Sequence, residues 1–131
     1  MMEDDTKERV VSYYEVTHPW YRIFWYTPAD LALHYGFWDG TTRTRSEALR
    51  NENRFLADVT QIRKTDYILD AGCGVGGSAI WLAKRYGCRV MGISISPSHI
   101  AAAKENAAKN KVSHTTTFEV HDYTATGFPD G

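Results

Sequence analysis

The chain has 131 residues and a formal net charge of −1, from 15 basic and 16 acidic side chains. This balance excludes the strongly basic field typical of nucleic-acid-binding proteins. A hydrophobic fraction of 43% with 24% charged residues is typical of a soluble globular domain. No apolar run is long enough for stable insertion in a membrane. Cys73 and Cys88 lack metal-ligand spacing, and we interpret them as reduced thiols in a cytoplasmic protein.

The N-terminal part is predicted to begin with a helix over residues 5–14, capped by Asp4 or Asp5. Aromatic side chains follow closely, and they favour core packing of an N-terminal helical cap. The alternative is a lid over a ligand, because electron-rich rings suit a sulfonium cation or an amine. The rings belong to Tyr13, Tyr14, Trp20, Tyr21, Phe24, Trp25 and Tyr26.

A second helix is predicted to begin at the capping box Thr44-x-x-Glu47. Its apolar positions fall on a single stripe that should pack on a sheet. These positions are Ala48, Leu49, Phe55, Leu56, Val59 and Ile62.

Beyond residue 64, strand and helix patterns alternate. Strands are predicted over residues 67–70, 88–93 and 115–120. One helix is predicted over residues 78–86, and a second begins after Ser96 at Pro97 and runs to about residue 109. The order β-α-β-α-β predicts an α/β fold with a parallel sheet and right-handed crossovers.

A glycine-rich turn, DAGCGVGG at residues 70–77, joins the first strand to the first of these helices. Glycine leaves the backbone open to a close ligand, and the helix N-terminus adds free N–H groups and a positive dipole end. Such a loop is typical of a nucleotide site. Gly72, Gly74 and Gly77 fit the dinucleotide pattern G-x-G-x-x-G, whereas Gly72, Gly74 and Gly76 fit G-x-G-x-G.

Two further positions distinguish these ligands. Asp70 places a carboxylate where a pyrophosphate would meet like charge and where a cationic amino group would be attracted. A NAD site calls for an acid about 20 residues on, and a NADP site for an arginine. The second strand ends instead in GISIS, residues 92–96, without either.

The run ILDAGCGVGG at residues 68–77 resembles motif I of class I S-adenosylmethionine (SAM)-dependent methyltransferases. The run YGCRVMGISISP at residues 86–97 is similar to the branch with tocopherol and quinone methyltransferases, sterol methyltransferases and cyclopropane-fatty-acid synthases. The resemblance implies a Rossmann-like fold, with an incomplete parallel sheet of about three strands and an N-terminal helical cap. It also implies SAM as cofactor, S-adenosylhomocysteine as product, and methyl transfer to a small-molecule acceptor by in-line displacement. Neither a metal ion nor a catalytic triad is required.

The resemblance also implies roles for individual residues. Asp70 would receive the cofactor's ammonium group, directly or through water, while the backbone of Gly72, Gly74 and Gly76 passes its methionine and ribose part. The remaining implied contacts are Ser94 and Ile95 at the ribose hydroxyls, His99 near the cofactor, Asp122 at the adenine amino group, Tyr123 against the adenine ring, Tyr14 from the N-terminal helix, and Tyr35 and Gly36 from the segment LHYGFWDG.

Two side chains admit a catalytic interpretation that is not favoured. His34 fits an ordinary hydrogen-bonded histidine better than a base. Cys73 lies near a helix N-terminus, which lowers the pKa of a thiol. No histidine partner is implied for it, so packing is favoured.

We expect two regions: residues 1–63 as a helical cap and packing helix, and residues 64–131 as the SAM-binding half of a Rossmann-like domain. The phrase FPDG at residues 128–131 leads, in the family, into a fourth strand, so a piece of a longer enzyme is expected. Three alternatives remain: a cyclopropane-synthase-like lipid-modifying enzyme, a NAD(P)-binding oxidoreductase domain and a non-catalytic binding module.

Overall fold

The computed structural model describes residues 2–27, 30–32 and 34–129, with side chains from residue 5 onward. Helices and strands alternate after an N-terminal pair of helices. In chain order they are α1 Met2–Phe24, α2 Arg45–Thr60, β1 Tyr67–Ala71, α3 Gly77–Tyr86, β2 Arg89–Ser94, α4 Pro97–Lys109 and β3 Thr116–Val120. No helix in this part of the chain is long and apolar enough to cross a membrane.

The three strands form a parallel sheet in the order β1-β2-β3. Val90 in β2 is paired with Ile68 of β1 on one side and with Thr116 of β3 on the other. This confirms the predicted α/β architecture, with strand bounds within a residue of those expected. Because the strands are parallel, their carboxyl ends at Ala71, Ser94 and Val120 meet at one edge of the sheet.

The core lies between the sheet and helices α3 and α4. Gly92 is at the centre of β2, where a Cβ atom would lie 2.6 Å from the ring of Phe118. Glycine at this position therefore lets the Phe118 ring, which is only 2% exposed, pack directly against the middle strand. Ile80 and Ile100 pack into the same cluster from the two helices.

Helix α1 is much longer than predicted, since it begins at Met2 and continues through Pro19 to Phe24. Asp4 and Asp5 therefore lie inside the helix and do not cap it. Proline removes one backbone donor from a helix and normally breaks it. Here the helix packs against α4, and that tertiary contact sustains it beyond residue 14.

The sequence favours core packing of the aromatic cluster, but in the structure this cluster does not form a packed core. Trp20 and Phe24 stack on each other at 6.1 Å, yet they are 63% and 74% exposed. Tyr14 instead turns inward, with its ring 4.9 Å from that of His99 on α4. The prediction failed because ring content indicates burial in general but not which face of a helix has a partner.

The capping box of α2 is confirmed: the Thr44 hydroxyl accepts from the backbone N–H of Glu47, and the Glu47 carboxylate accepts from that of Thr44. The predicted stripe is only partly buried. Ala48 and Leu49 are buried, whereas the side chains of Phe55, Leu56 and Val59 are at least half exposed. The helix packs chiefly against α3 and not on the sheet, which leaves this half of the stripe uncovered.

Candidate functional site

A cavity of about 1060 Å³ lies at the carboxyl edge of the sheet. The ends of all three strands reach it. Its other walls come from α1, from α2, from the starts of α3 and α4, and from Leu31, Ala32 and His34. In parallel α/β sheets this edge is where ligands bind. The residues predicted for a site that line it are Tyr14, Asp70, Gly72, Gly74, Ser94, Ile95, His99, Asp122 and Tyr123.

The glycine turn opens its backbone to this cavity at two positions. Gly72 and Gly74 have φ angles of 91° and 52°, and a Cβ atom at either would meet nothing within 4 Å. The turn is hydrogen-bonded to β2, because the N–H groups of Gly72 and Cys73 both donate to the Ile93 carbonyl at 2.9 Å. The cavity therefore borders bare, rigidly held backbone.

Gly76 is placed differently from the other two predicted glycines. It does not line the cavity, and its Cβ atom would lie 3.1 Å from both Ala103 and Phe118. Its φ of 86° and this close packing make it a structural residue of the turn. Gly77, which the methyltransferase pattern does not use, lines the cavity and lets the carbonyl of Leu31 approach the start of α3.

Asp70 brings a carboxylate to the cavity wall at the end of β1. Its Oδ2 atom is shielded from solvent and has no hydrogen-bond partner among the residues that the structure describes. Burial raises the pKa of this carboxyl, while the backbone N–H of Ala79 and the nearby His34 act in the opposite direction. A buried acceptor without a partner is costly, and a donor or cation placed in the cavity would satisfy it.

His99 lies deeper in the same wall, on the first turn of α4. It is 3% exposed, and its Nε2 atom has no partner in the described part of the chain. Burial lowers the pKa of this histidine, so the ring is neutral at pH 7. Ser94, at the end of β2, accepts from the backbone N–H of Ser96 at 3.2 Å.

Asp122, which follows β3, is already engaged at both oxygens. Oδ1 accepts from the backbone and hydroxyl of Thr124, and Oδ2 lies 2.9 Å from Nζ of Lys7 on α1. These contacts, with Lys7 the largest, hold the pKa of the carboxyl well below its usual range. Tyr123 beside it is 67% exposed. Helix α1 therefore spans this end of the cavity.

The segment before α2 reaches the cavity through a different residue from those predicted. Tyr35 is 81% exposed and Gly36 packs on α2, where its Cβ atom would lie 2.5 Å from the Ala48 carbonyl carbon. Neither lines the cavity, and the cofactor contact predicted for both stays a prediction. His34 lines it instead, with Nδ1 2.7 Å from Oε2 of Glu52.

Several other lining residues were not predicted for the site. They come from α1, from α2 and from the connection between them: Thr6, Lys7, Val10, Tyr26, Leu31, Glu52, Asn53 and Leu56. Of these, Tyr26 belongs to the aromatic cluster for which a lid was the alternative prediction, and the position of Glu52 and Asn53 on the polar side of α2 could have drawn attention to them.

Cys73 lies in the glycine turn and is 8% exposed. Burial and, secondarily, the charge of Asp70 raise the pKa of its thiol to about 12. The thiolate is therefore disfavoured, in agreement with a packing role.

Comparisons with known proteins agree with this architecture. Residues 68–131 match a family model described as a methyltransferase domain. The chain is 37% identical over 98 residues to 27-O-demethylrifamycin SV methyltransferase of Amycolatopsis mediterranei, covering 75% of this chain and 36% of that protein. It is 33% identical over 132 residues to sterol 24-C-methyltransferase of Saccharomyces cerevisiae, covering 98% and 34%. It resembles the crystal structure of the [4+2]-cyclase SpnF with a TM-score of 0.84 at 26% identity, covering 95% of this chain and 45% of that one.

The fold and the glycine turn define a Rossmann-like methyltransferase domain. Residues 68–131 belong to a methyltransferase domain, which confirms the resemblance to class I SAM-dependent methyltransferases that motif I predicted. It spans only 36% and 34% of the two curated relatives described here.

Proposed function

We propose that the cavity binds SAM and that the protein containing this chain transfers the methyl group to a small-molecule acceptor. The family assignment supports the reaction class. The observation that carries the binding site is the partnerless Oδ2 of Asp70, which borders the same cavity as the open backbone of Gly72 and Gly74. SAM joins an amino acid to a nucleoside. Its ammonium group suits the carboxylate, and its methionine and ribose part suits the open backbone beside it.

The fit extends to the other strand ends. Ser94 and the backbone of Ile95 would meet the ribose, and Asp122 with Tyr123 would meet the adenine. His99 and Tyr14 would border the cofactor from α4 and α1. We do not extend the proposal to Tyr35 and Gly36, and we assign Gly76 to support of the turn.

When bound, SAM supplies an electrophilic methyl group that is already activated by the sulfonium charge. The residues of this chain would therefore bind, orient and exclude water. Asp70 would neutralise the ammonium charge, and Ser94 would bind the ribose. Helix α1 would shield the cavity from solvent through Lys7, Val10 and Tyr14 on the cavity wall.

A small-molecule acceptor is supported by the names of the relatives, which act on a rifamycin derivative and on sterols. We also propose residues 1–63 as the cap and 64–131 as the cofactor half. The free thiols Cys73 and Cys88 support a cytoplasmic location. The structural neighbour named a [4+2]-cyclase shows that this fold also serves another reaction, so cofactor binding and methyl transfer need separate tests.

The proposal is tested by calorimetric titration of the chain with S-adenosylhomocysteine, with NAD as a parallel ligand. We expect saturable binding of the first ligand only, and loss of binding in Asp70→Ala. Asp58→Ala, on the exposed side of α2, is the matched control and should bind normally. Binding of NAD alone would show that the site is a dinucleotide site.

A further inference from the structure

Two buried histidines face each other across the contact between α1 and α4. His18 is 8% exposed and His99 is 3% exposed, and their ring centroids lie 5.1 Å apart. Nδ1 of His18 and Nε2 of His99 are shielded from solvent and have no hydrogen-bond partner among the described residues. Protonation of either ring would therefore place a charge in a dry contact beside a second ionisable ring.

Among the described residues, few ionisable groups act on this histidine pair. The charge of Glu15 raises the pKa of both His18 and His99, whereas the charge of Arg22 lowers the pKa of His18. Tyr14 faces His99 at 4.9 Å, and Tyr26, from the segment after α1, faces His18 at 6.3 Å. Burial raises the pKa of Tyr26, so this phenol stays neutral.

Within the described part of the chain, the one carboxylate that acts on this pair is Glu15, and it is already engaged. Oε1 of Glu15 accepts from the Ser96 hydroxyl at 2.8 Å and from the Ser98 backbone N–H at 3.2 Å, at the N-terminus of α4. These hydrogen bonds lower the pKa of Glu15, so it stays ionised under mildly acidic conditions. One engaged carboxylate beside Arg22 cannot balance two imidazolium ions.

We propose that the pair formed by His18 and His99 is a pH-sensitive latch, which holds α1 over the cavity at neutral pH and releases it on mild acidification. Helix α1 supplies Lys7, Val10 and Tyr14 to the cavity wall, so its release would open the cavity to solvent. The release itself does not depend on the identity of the ligand. Its effect on cofactor exchange rests on the proposed function.

The direction follows from proton binding. Burial lowers the pKa of both histidines in the docked state, whereas the undocked rings titrate at about 6.5. Below that pH the undocked state therefore binds more protons than the docked state. Docking of α1 is strongest above that pH and weakens as the pH falls. The docking equilibrium should fall by up to about tenfold per pH unit for each histidine.

The test is hydrogen exchange read by mass spectrometry on the 131-residue chain between pH 7.5 and 5.5, corrected for the intrinsic exchange rate. Protection of α1 should fall severalfold, and by at most about thirtyfold for two rings with an undocked pKa of about 6.5, between pH 6.5 and 5.5, while protection of β2 remains. The double variant His18→Phe/His99→Phe keeps aromatic rings at both positions and should retain its α1 protection. His114→Phe, at an exposed loop position, is the matched control and should behave as the wild type.

Unchanged α1 protection at pH 5.5 would overturn the latch, as would an equal loss in the double variant or a simultaneous loss in β2. Stopped-flow release of S-adenosylhomocysteine gives the second result, and release should accelerate at pH 5.5 in the wild type only. If S-adenosylhomocysteine binds at no pH while α1 still opens, the proposed function fails and the latch stands.

Discussion

Nζ of Lys7 lies 2.9 Å from Oδ2 of Asp122, so the second turn of α1 is joined to the segment that follows β3. The contact matters because Asp122 is also the acceptor proposed for the adenine amino group. A carboxylate oxygen has lone pairs for both partners. The two roles can be separated by changing one partner at a time.

We expect Asp122→Ala to weaken S-adenosylhomocysteine binding by about tenfold or more, the usual effect of losing a hydrogen bond to a charged group. Lys7→Met keeps the carboxylate and removes its partly exposed ion pair, so affinity should stay within about threefold. Isothermal titration of both variants decides the matter. Equal losses would mean that Asp122 acts only by holding α1.

Asp70 should show opposite effects on stability and binding. Asp70→Asn removes a charge that the free protein holds at a cost, so the free energy of unfolding should rise by about 1 kcal/mol at pH 7. Because burial raises the pKa of Asp70 in the folded chain, the wild type should gain stability as the pH falls through that pKa towards 3.8, and the variant should lack this gain.

The same variant should bind S-adenosylhomocysteine at least tenfold more weakly. Thermal unfolding and calorimetry measure the two effects on one sample. Asp58→Asn serves as the control and should change neither. A variant that loses stability and affinity together would indicate a purely structural role for Asp70.

The glycines of the turn should separate into two kinds. Gly74→Ala points a methyl group into the cavity from a left-handed position, at a cost of about 1 kcal/mol in stability. We expect it to weaken binding by about tenfold or more through loss of space. Gly76→Ala pushes on Ala103 and Phe118 and should cost about 2–3 kcal/mol.

Denaturant unfolding and ligand titration of the two variants supply the comparison. The distinction would be lost if Gly74→Ala bound normally, since the backbone of Gly74 would then not face the ligand.

The segment before α2 offers a test of one position against its neighbour. His34→Ala should weaken S-adenosylhomocysteine binding severalfold, because it removes a wall of the cavity beside Asp70. Tyr35→Ala should leave binding unchanged, because Tyr35 is 81% exposed. Calorimetry on samples with the same folded fraction measures the affinity of both variants. A loss of affinity in Tyr35→Ala but not in His34→Ala would support the cofactor contact predicted for Tyr35.

The sequence was sufficient for the features that depend on local chemistry. The strands, the capping box of Thr44 and Glu47 and the turn around Gly72 each follow from residue types at short spacing. The position of Asp70 on the cavity wall followed from its place at the end of a parallel strand.

What the sequence could not supply depends on contacts between distant segments. The pairs Lys7 with Asp122 and Glu15 with Ser96 join α1 to residues more than 80 positions away, and no local pattern encodes such docking. His34 and Tyr35 are adjacent in a loop without periodicity, so the sequence could not predict which of the two lines the cavity. Phe55 lies on the predicted apolar stripe of α2 but is 51% exposed, because an apolar stripe does not specify what packs against it.

The most direct test of the account is a two-dimensional ¹H–¹⁵N NMR titration of the isotope-labelled chain with S-adenosylhomocysteine. We predict saturable shifts of the amides of Gly72, Gly74, Ile95 and Asp122, with Tyr35 unmoved. Saturable shifts confined to other parts of the chain, or no shift at millimolar ligand, would contradict the assignment of this cavity as the cofactor site.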